Sequence, residues 1–195
     1  RAVRKLVDAG IVVVAAAGNN GKDALNRKVY GRIHSPGIEP SAITVGAANT
    51  YGTERRNDDT ITSYSSRGPT RSYYTDANGV KHYDNLIKPD LVAPGNKIIG
   101  ASAPGNGLIT TTASLLVNPL AAWNNQYMRM SGTSVSAPVV AGAVAVLLEA
   151  NPKLTPNMVK MVLEYSAQPL AGFNMLEQGA GELNIEGSVR LAKLV

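Results

Sequence analysis

The sequence predicts an α/β fold, with a mostly parallel central sheet flanked by helices. Short apolar segments at 11–19, 41–48 and 91–95 are rich in small and β-branched residues, and each is closed by glycine, as buried strands of a parallel sheet are. Longer segments in the last third of the chain have helical spacing of apolar residues. Strands and helices in this order, with no linker between them, predict a single domain over 1–195.

The composition argues against several classes of function. The 195 residues are 44% hydrophobic and only 5% aromatic, which indicates a core of small aliphatic side chains. Cysteine is absent, which excludes disulfides, thiolate catalysis and cysteine-bound metals. The net charge is +5, but the basic residues are dispersed and not interleaved with aromatic residues, so we expect no nucleic-acid partner. No apolar run approaches the roughly 20 residues that cross a bilayer, so we expect no membrane association.

The first ten residues, RAVRKLVDAG, predict a short helix. Val3, Leu6 and Val7 have helical spacing, and Gly10 is a typical helix stop. No N-cap residue precedes them. We therefore expect the sequence to begin partway through a helix and to be a fragment.

The middle of the chain predicts short strands and two long loops. Strands are predicted at 11–19, which should be fully buried, and at 41–48, 91–95 and 97–102. The polar stretches 49–88 and 103–127 lie between them. Within the first, Asn78-Gly79 stands between alternating residues and predicts a type I′ hairpin.

The last third is predicted to be helical. Residues 133–150 form a helix that is apolar on nearly all sides and should be buried all round, with Pro138 near its start. A second helix has Thr155 as N-cap and Pro156 at its first position. Its apolar face is formed by Met158, Val159, Val162 and Leu163. A final amphipathic helix is expected at about 186–193.

The start of the long helix carries more hydroxyl groups than a cap requires. Ser131, Thr133, Ser134 and Ser136 cluster around Gly132, although one such side chain would suffice as a cap. A serine at position 134 would have a free backbone N–H, and the positive end of the helix dipole would face any oxyanion formed on an attacked carbonyl. Taken alone, the helix start favours capping over a nucleophile.

The end of the first predicted strand offers a second polar group. Gly18-Asn19 places a side-chain amide at the carboxyl edge of the sheet, where open α/β folds bind ligands. An Asn19 amide facing Ser134 would give two converging N–H donors, as in an oxyanion hole. By itself Asn19 is more simply explained as a turn residue.

Six segments in register resemble the subtilisin-like serine proteases, the subtilases. They span nearly the whole chain, and they are AAGN (16–19), SPG with ITVGA (35–37 and 43–47), SYSSRGP (63–69), KPDLVAPG (88–95), SGTSVSAP (131–138) and GAGELN (179–184).

The resemblance implies part of a three-layer subtilisin-like fold and the cleavage of peptide bonds in peptides or proteins through an acyl-enzyme. It makes Ser134 the nucleophile and Asn19 the oxyanion-hole amide. Substrate contacts are implied for Ala16, Ala17, Gly18, His34, Ser35, Pro36, Gly37 and Thr133. No metal or cofactor is implied for catalysis, although structural calcium in the full-length protein is compatible with the family. An extracellular or cell-envelope location of bacterial type is also implied.

The family's activating residues are absent from the sequence. Subtilases activate the serine with a histidine that an aspartate orients, in the chain order Asp, His, Ser. His34 and His82 are the only histidines, and neither stands in the family's motif. We therefore interpret the chain as the C-terminal portion of a subtilase catalytic domain, inactive without an N-terminal portion that carries Asp and His. The alternative is a non-catalytic pseudoprotease or binding module of a larger secreted protein.

Two further features leave alternatives open. The pocket for the residue before the scissile bond has alanine and glycine walls, which favour Leu, Met or Ala over Lys or Arg in the substrate. His34 would shorten this pocket; alternatively, His34 points into solvent. Asp58-Asp59 and Asp76-x-Asn78-Gly79 are candidate calcium ligands, although a solvated turn is the favoured interpretation of each.

Overall fold

The central sheet is built around one strand, β2. A computed structural model describes residues 2–117 and 126–195. The sheet contains β1 (Val14–Ala16), β2 (Ile43–Asn49), β3 (Thr60–Ile61) and β6 (Leu91–Pro94). β2 pairs in parallel with β1 and with β6, and in antiparallel with β3 near its end. The predicted mostly parallel sheet is thus observed.

The core lies between this sheet and a layer of helices. Helix α3 (Thr133–Ala150) packs across β1, β2 and β6, while α4 (Pro156–Ser166) and α6 (Ile185–Ala192) pack on each other. The buried side chains are small aliphatics, as the composition predicts: Ile43, Val45, Leu91, Ala93, Val140, Ala143, Val144, Leu147, Val159, Val162 and Leu163 among others.

The helix α3 has the predicted bounds, but the prediction that it is buried all round is wrong. Its inner face packs on the sheet, while Ala141, Gly142, Ala145 and Val146 are exposed, Val146 by 43%. The physical reason is that the described elements cover one side of α3. By length and composition α3 could also cross a membrane, with a mean hydropathy of 1.7 over 18 residues, but core helices of soluble proteins share these properties.

The other predicted helices are observed. Helix α1 (Ala2–Asp8) ends before Gly10, whose φ of +85° suits glycine. The N-cap of α4 is Thr155, whose hydroxyl accepts from the Met158 N–H at 3.3 Å. The last helix, α6, is capped by Asn184 and begins one residue earlier than predicted.

The predicted strand at 11–19 is shorter and less buried than expected. β1 has three residues, Ile11 is 51% exposed, and Val12 and Val13 are half-buried. Among the described residues β1 pairs with β2 alone, so its other edge is open. A strand at an open edge cannot be buried on both sides.

A separate two-stranded sheet follows β6 in the chain. Predicted strand 97–102 is β7 (Ile98–Ala101), and it pairs in antiparallel with β8 (Tyr127–Met130), which the sequence did not indicate. The polar stretches also contain α2 (Gly107–Thr111) and a 3₁₀ turn (Ala113–Leu115). A one-turn helix, α5 (Met175–Gln178), was likewise not predicted. Residues 118–125 of the predicted loop lie outside the described residues.

The predicted hairpin exists, but its turn is not type I′. Strands β4 (Tyr73–Thr75) and β5 (Lys81–Tyr83) are joined by the five residues 76–80. The Asp76 carboxylate accepts from the N–H groups of Asn78 and Val80, at 2.9 and 3.0 Å. Gly79 has a positive φ and Asn78 does not, whereas a type I′ turn requires both.

Buried charges fasten the sheet to α4. The Asp90 carboxylate accepts from the Thr44 N–H at 2.6 Å, from Lys88 Nζ at 2.6 Å and from Lys160 Nζ at 2.9 Å. Burial lowers the pKa of Lys88 to about 8, against the opposing attraction of Asp90. The Lys-Pro-Asp segment thereby fixes the start of β6 against the start of β2, at the end of the strands opposite the candidate site.

Candidate active site

Ser134 lies at the N-terminus of α3, as the sequence predicts. Gly132 is the N-cap, and Ser134 is exposed. The Val135 and Ser136 N–H groups bond back to the Gly132 carbonyl, whereas no described atom accepts from the Ser134 N–H. The serine therefore presents its hydroxyl and a free backbone donor at the positive end of an 18-residue helix.

The side chain of Asn19 is held against the same helix start. Its Oδ1 accepts from the Thr133 N–H at 2.9 Å and from the Thr133 hydroxyl at 3.1 Å. The Thr133 hydroxyl in turn accepts from the Gly18 N–H at 3.1 Å. Because Oδ1 is engaged twice, the Asn19 Nδ2 group is left as the donor that faces outward.

Gly132 shows where these two donors meet. A Cβ on Gly132 would lie 3.3 Å from Asn19 Nδ2 and 3.8 Å from the Ser134 nitrogen. Gly132 also has a φ of +151°, which side-chain-bearing residues rarely adopt. The space that a side chain would fill is therefore open and is bordered by two N–H donors, an arrangement that can bind a developing oxyanion.

His34 packs directly against the strand end that carries Asn19. A Cβ on Gly18 would lie 2.7 Å from His34 Cγ, and the His34 N–H donates to the Ala17 carbonyl at 2.9 Å. Ala17 is fully buried and Ala16 is half-buried beneath this contact. His34 itself is exposed, so its imidazole lies against Gly18 at the strand end and also contacts solvent, and its role in a pocket stays a prediction.

The neighbouring predicted substrate contacts, at positions 35–37, divide between two places. Gly37 is buried against β1, since a Cβ there would lie 3.1 Å from the Ala16 carbonyl oxygen. Ser35 and Pro36 are exposed and line a separate 410 Å³ cleft with Ala2 and Val3. Of the predicted segment, His34 and Gly37 therefore join the strand wall, and Ser35 and Pro36 face another cleft.

Within the described chain no residue hydrogen-bonds to the Ser134 hydroxyl. His82 lies in the exposed hairpin, where its Nε2 is 2.8 Å from Asp76 Oδ2. His34 contacts Gly18 instead. The described residues thus provide a serine hydroxyl and two N–H donors beside Gly132, and they place no general base on Ser134.

Three supporting residues were missed by the sequence analysis. The Ser66 N–H donates to the Gly18 carbonyl at 2.8 Å, and the Ser66 hydroxyl accepts from the Asn20 N–H at 3.0 Å. The Gly95 carbonyl accepts from the Gly132 N–H and from the Tyr64 hydroxyl, both at 2.8 Å. All three belong to segments that carry the family resemblance, but no local pattern assigns them a contact.

The loop after Asn19 is anchored by a buried ion-pair network. Arg67 donates to the Gly21 carbonyl at 2.6 Å and pairs with Glu177 at 3.1 Å, and Lys28 pairs with the same carboxylate at 2.7 Å. Burial would raise the pKa of Glu177, but the bonds from Lys28 and the Asn174 N–H, with the charges of Lys28 and Arg67, hold it below its ordinary value.

Two of the candidate calcium ligands, Asp58 and Asp76, are engaged by other groups of the protein. The Asp76 carboxylate is engaged by two backbone N–H groups and His82, and the Asp58 carboxylate accepts from the Thr53 hydroxyl. Asp59 is buried, so the expectation of a solvated turn is wrong for it. Residues 2–117 and 126–195 hold no group of three or more His, Asp or Glu side chains suited to a metal ion.

Comparison with known proteins identifies the family of the chain. The family model described as the subtilase family matches residues 1–187. The chain belongs to the subtilase family. This subtilase chain is 39% identical over 189 residues to the serine protease AprX of Bacillus subtilis, covering 97% of the chain and 37% of AprX. It is 31% identical over 186 residues to membrane-bound transcription factor site-1 protease of Mus musculus, covering 94% and 14%.

Solved structures agree with the sequence relatives. Fervidolysin from Fervidobacterium pennivorans, a keratinolytic enzyme related to subtilisin, superposes with a TM-score of 0.66 and 26% identity, over 94% of this subtilase chain and 23% of fervidolysin. The predicted subtilisin-like α/β fold is confirmed. The chain spans well under half the length of each of these relatives.

Proposed function

We propose that the full-length protein is a serine endopeptidase and that this chain supplies its nucleophile, Ser134, and its oxyanion-hole amide, Asn19. The observation that carries the proposal is the Thr133 anchor on Asn19 Oδ1, which directs Nδ2 and the Ser134 N–H into one open space. The family and its relatives named as proteases support the same activity.

The chemistry follows from these groups. Ser134 Oγ attacks the peptide carbonyl carbon and passes its proton to a histidine supplied from outside this chain. The two N–H donors stabilise the negative charge on the carbonyl oxygen, which exists mainly in the transition state. Collapse expels the amine, which takes up that proton, and water then hydrolyses the acyl-Ser134 ester. No metal or cofactor takes part in this scheme.

The substrate pocket is proposed to lie between β1 and His34. Its wall is proposed to be formed by Gly18 and the half-buried Ala16, with the fully buried Ala17 packed behind them, and the imidazole is proposed to limit its depth. An apolar, shallow pocket without a carboxylate suits Leu, Met or Ala before the scissile bond. Peptides and proteins are the proposed substrates.

The missing catalytic residues are proposed to come from an N-terminal portion of the same catalytic domain. Two surfaces are proposed to contact this N-terminal portion: the open edge of β1, and the exposed apolar face of α3 around Ala141 and Val146. Neither is covered by the described residues. Covering both would bury apolar surface and bring the histidine and aspartate to Ser134, so this chain alone should be inactive.

The location proposed for the protein is extracellular or in the cell envelope, following the family.

The alternative function is that of a non-catalytic pseudoprotease or binding module. One observation favours it: no described residue forms a hydrogen bond to the Ser134 hydroxyl, as a general base would. The same observation follows if the base lies in the N-terminal portion.

Kinetics on the full-length protein separate these functions. Ser134→Ala should abolish cleavage of a fluorogenic peptide. Asn19→Ala should lower kcat about 10²–10³-fold with little change in KM, the loss measured for the equivalent donor in subtilisin, a member of this family. Asn20→Ala, an exposed neighbour, is the matched control. A change in KM alone would contradict the role of Asn19, and Ser134-dependent turnover by residues 1–195 alone would contradict the proposed division of the site.

A further inference from the structure

A groove lies at the carboxyl end of β2 and reaches the Gly95 side of the start of α3. It consists of two clefts, of 570 and 400 Å³, that share Asn49, Tyr51 and Asn96. We call it the Tyr51 groove. Its remaining lining comes from Thr50, Gly52, Thr60–Tyr64, Lys97, Ile98, Ile99 and Arg129. We infer that this groove binds the substrate segment that follows the scissile bond and selects acidic side chains in it, an inference that rests on the proposed function.

The position of the groove follows from how the start of α3 is held. The Thr133 N–H bonds to Asn19, which follows β1, whereas the Gly132 N–H bonds to Gly95, which follows β6. β1 and β6 pair with opposite edges of β2. The Asn19–His34 side and the Gly95–Lys97 side therefore flank the start of α3 from opposite directions. The groove includes the Lys97 side and crosses the end of β2 to β3, which pairs with the same edge of β2 as β1.

Hydrogen bonds connect the groove to the site. The Ser131 hydroxyl accepts from the Lys97 N–H at 2.9 Å and donates to Asn96 Oδ1 at 3.2 Å. Asn96 Nδ2 donates to Asn49 Oδ1 at 2.9 Å. The groove thus begins three residues from the nucleophile. With the residue before the scissile bond beside His34, the chain after the bond runs toward Ser131 and into the groove.

The charge of the groove indicates which side chains it accepts. Lys97 and Arg129 are exposed on its wall, and neither forms an ion pair with a described residue. No Asp or Glu lines either cleft. Tyr51 is 61% exposed, and its hydroxyl is bonded to Thr60 at 3.0 Å. Two cations without acidic neighbours in the lining complement a carboxylate on the bound peptide.

The length of an extended peptide indicates which substrate residues reach the cations of the groove. Arg129 is five residues from Ser134 in the chain, so the two α-carbons are at most about 17 Å apart. An extended substrate advances about 3.3 Å per residue. The acidic side chains should therefore be those of the second to fifth residues after the scissile bond.

Paired peptides test the inference with the full-length protein. Three quenched fluorescent peptides share one sequence up to the bond and carry Asp-Asp, Asn-Asn or Lys-Lys at the third and fourth positions after it. We expect kcat/KM to favour Asp-Asp over Asn-Asn by roughly 1.5- to 5-fold for each cation, the range of exposed ion pairs, and the preference should shrink with added salt. A double variant with Lys97→Glu and Arg129→Glu should reverse the preference in kcat/KM, so that the Lys-Lys peptide is cleaved best.

Controls separate the groove from the general charge of the protein. Lys153→Glu reverses an exposed lysine that lines neither cleft and should leave the preference unchanged. The salt titration uses the unaltered protein, so it does not depend on how the variants fold. Equal cleavage of the three peptides, or a preference that survives in the double variant, would overturn the inference while the peptidase stands. Failure to cleave any peptide would overturn the proposed function and this inference together.

Discussion

A buried pair of carboxyl groups should make the stability of the protein depend on pH near neutrality. Glu182 is 2% exposed and Asp59 is 8% exposed. Glu182 Oε2 and Asp59 Oδ1 are both buried without a hydrogen-bond partner among the described atoms. Burial, followed by the neighbouring Asp59 carboxyl group and its charge, raises the pKa of Glu182 to about 7 against the opposing charge of Arg56. A protonated Glu182 can donate to Asp59, which an ionised one cannot.

The sign and size of the effect follow from linkage. The folded-state pKa of Glu182 is about 7 and its ordinary value is 4.5, so the folded protein binds more protons than the unfolded chain between these values. The contribution of this group is fully present below pH 4.5 and is lost as the pH rises through 7. The loss is about 3 kcal/mol, at 1.36 kcal/mol for each pH unit between the two pKa values.

Glu182→Gln should remove this pH dependence. Glutamine keeps the shape of the protonated acid, can donate to Asp59 and does not ionise. The variant should match the parent in free energy of unfolding near pH 4.5 and exceed it by about 3 kcal/mol at pH 8, or about 6–12 °C in Tm for a domain of this size. Thermal and urea unfolding at a series of pH values measure this difference.

The matched control is Glu186→Gln, on the exposed surface of α6, where the carboxylate is 76% exposed and pairs with Arg190. The free energy of unfolding of this control should differ little from that of the parent, and the difference should not change with pH. A Glu182→Gln variant that is less stable than the parent at pH 8, or whose stability difference does not change between pH 4.5 and 8, would refute the reasoning.

Two further predictions concern the site. Gly132→Ala adds a methyl group 3.3 Å from Asn19 Nδ2 in a backbone conformation that suits glycine, so kcat should fall at least about tenfold, as part of a donor effect of about 2.7–4 kcal/mol. The control Gly107→Ala, whose added methyl group meets nothing within 4 Å, should not change kcat. An unaffected kcat in Gly132→Ala would contradict the placement of the oxyanion space. His34→Gly should admit larger residues before the scissile bond, and a peptide-library profile that is the same in both proteins would contradict the pocket.

The parts of the site that could be predicted are those with strong local signals. The bounds of α3 and the cap at Thr155 were predicted correctly, because helical periodicity and capping residues act within a few positions. Ser134 and Asn19 were predicted to converge because each ends or begins a buried element. The structure places both beside Gly132, and their roles in catalysis stay predictions.

The parts that could not be predicted depend on distant contacts or on covering surfaces. Thr133 and Gly18 are bonded across 115 positions, and Asn20 and Ser66 across 46, so no local pattern marks them. The all-round burial of α3 and the full burial of 11–19 were wrong because hydropathy reports what could be buried, and the described chain covers one side of each. The hairpin turn differs because the Asp76 side chain replaces backbone partners in a longer loop.

Covalent labelling of the full-length protein tests the central claim most directly. A fluorophosphonate probe reacts with an activated serine, and peptide mass spectrometry locates the adduct among the hydroxyl groups around Gly132. The account predicts one adduct, on Ser134, that is lost in Ser134→Ala. An adduct on Ser131 or Ser136, or no adduct from a preparation that cleaves peptides, would contradict it.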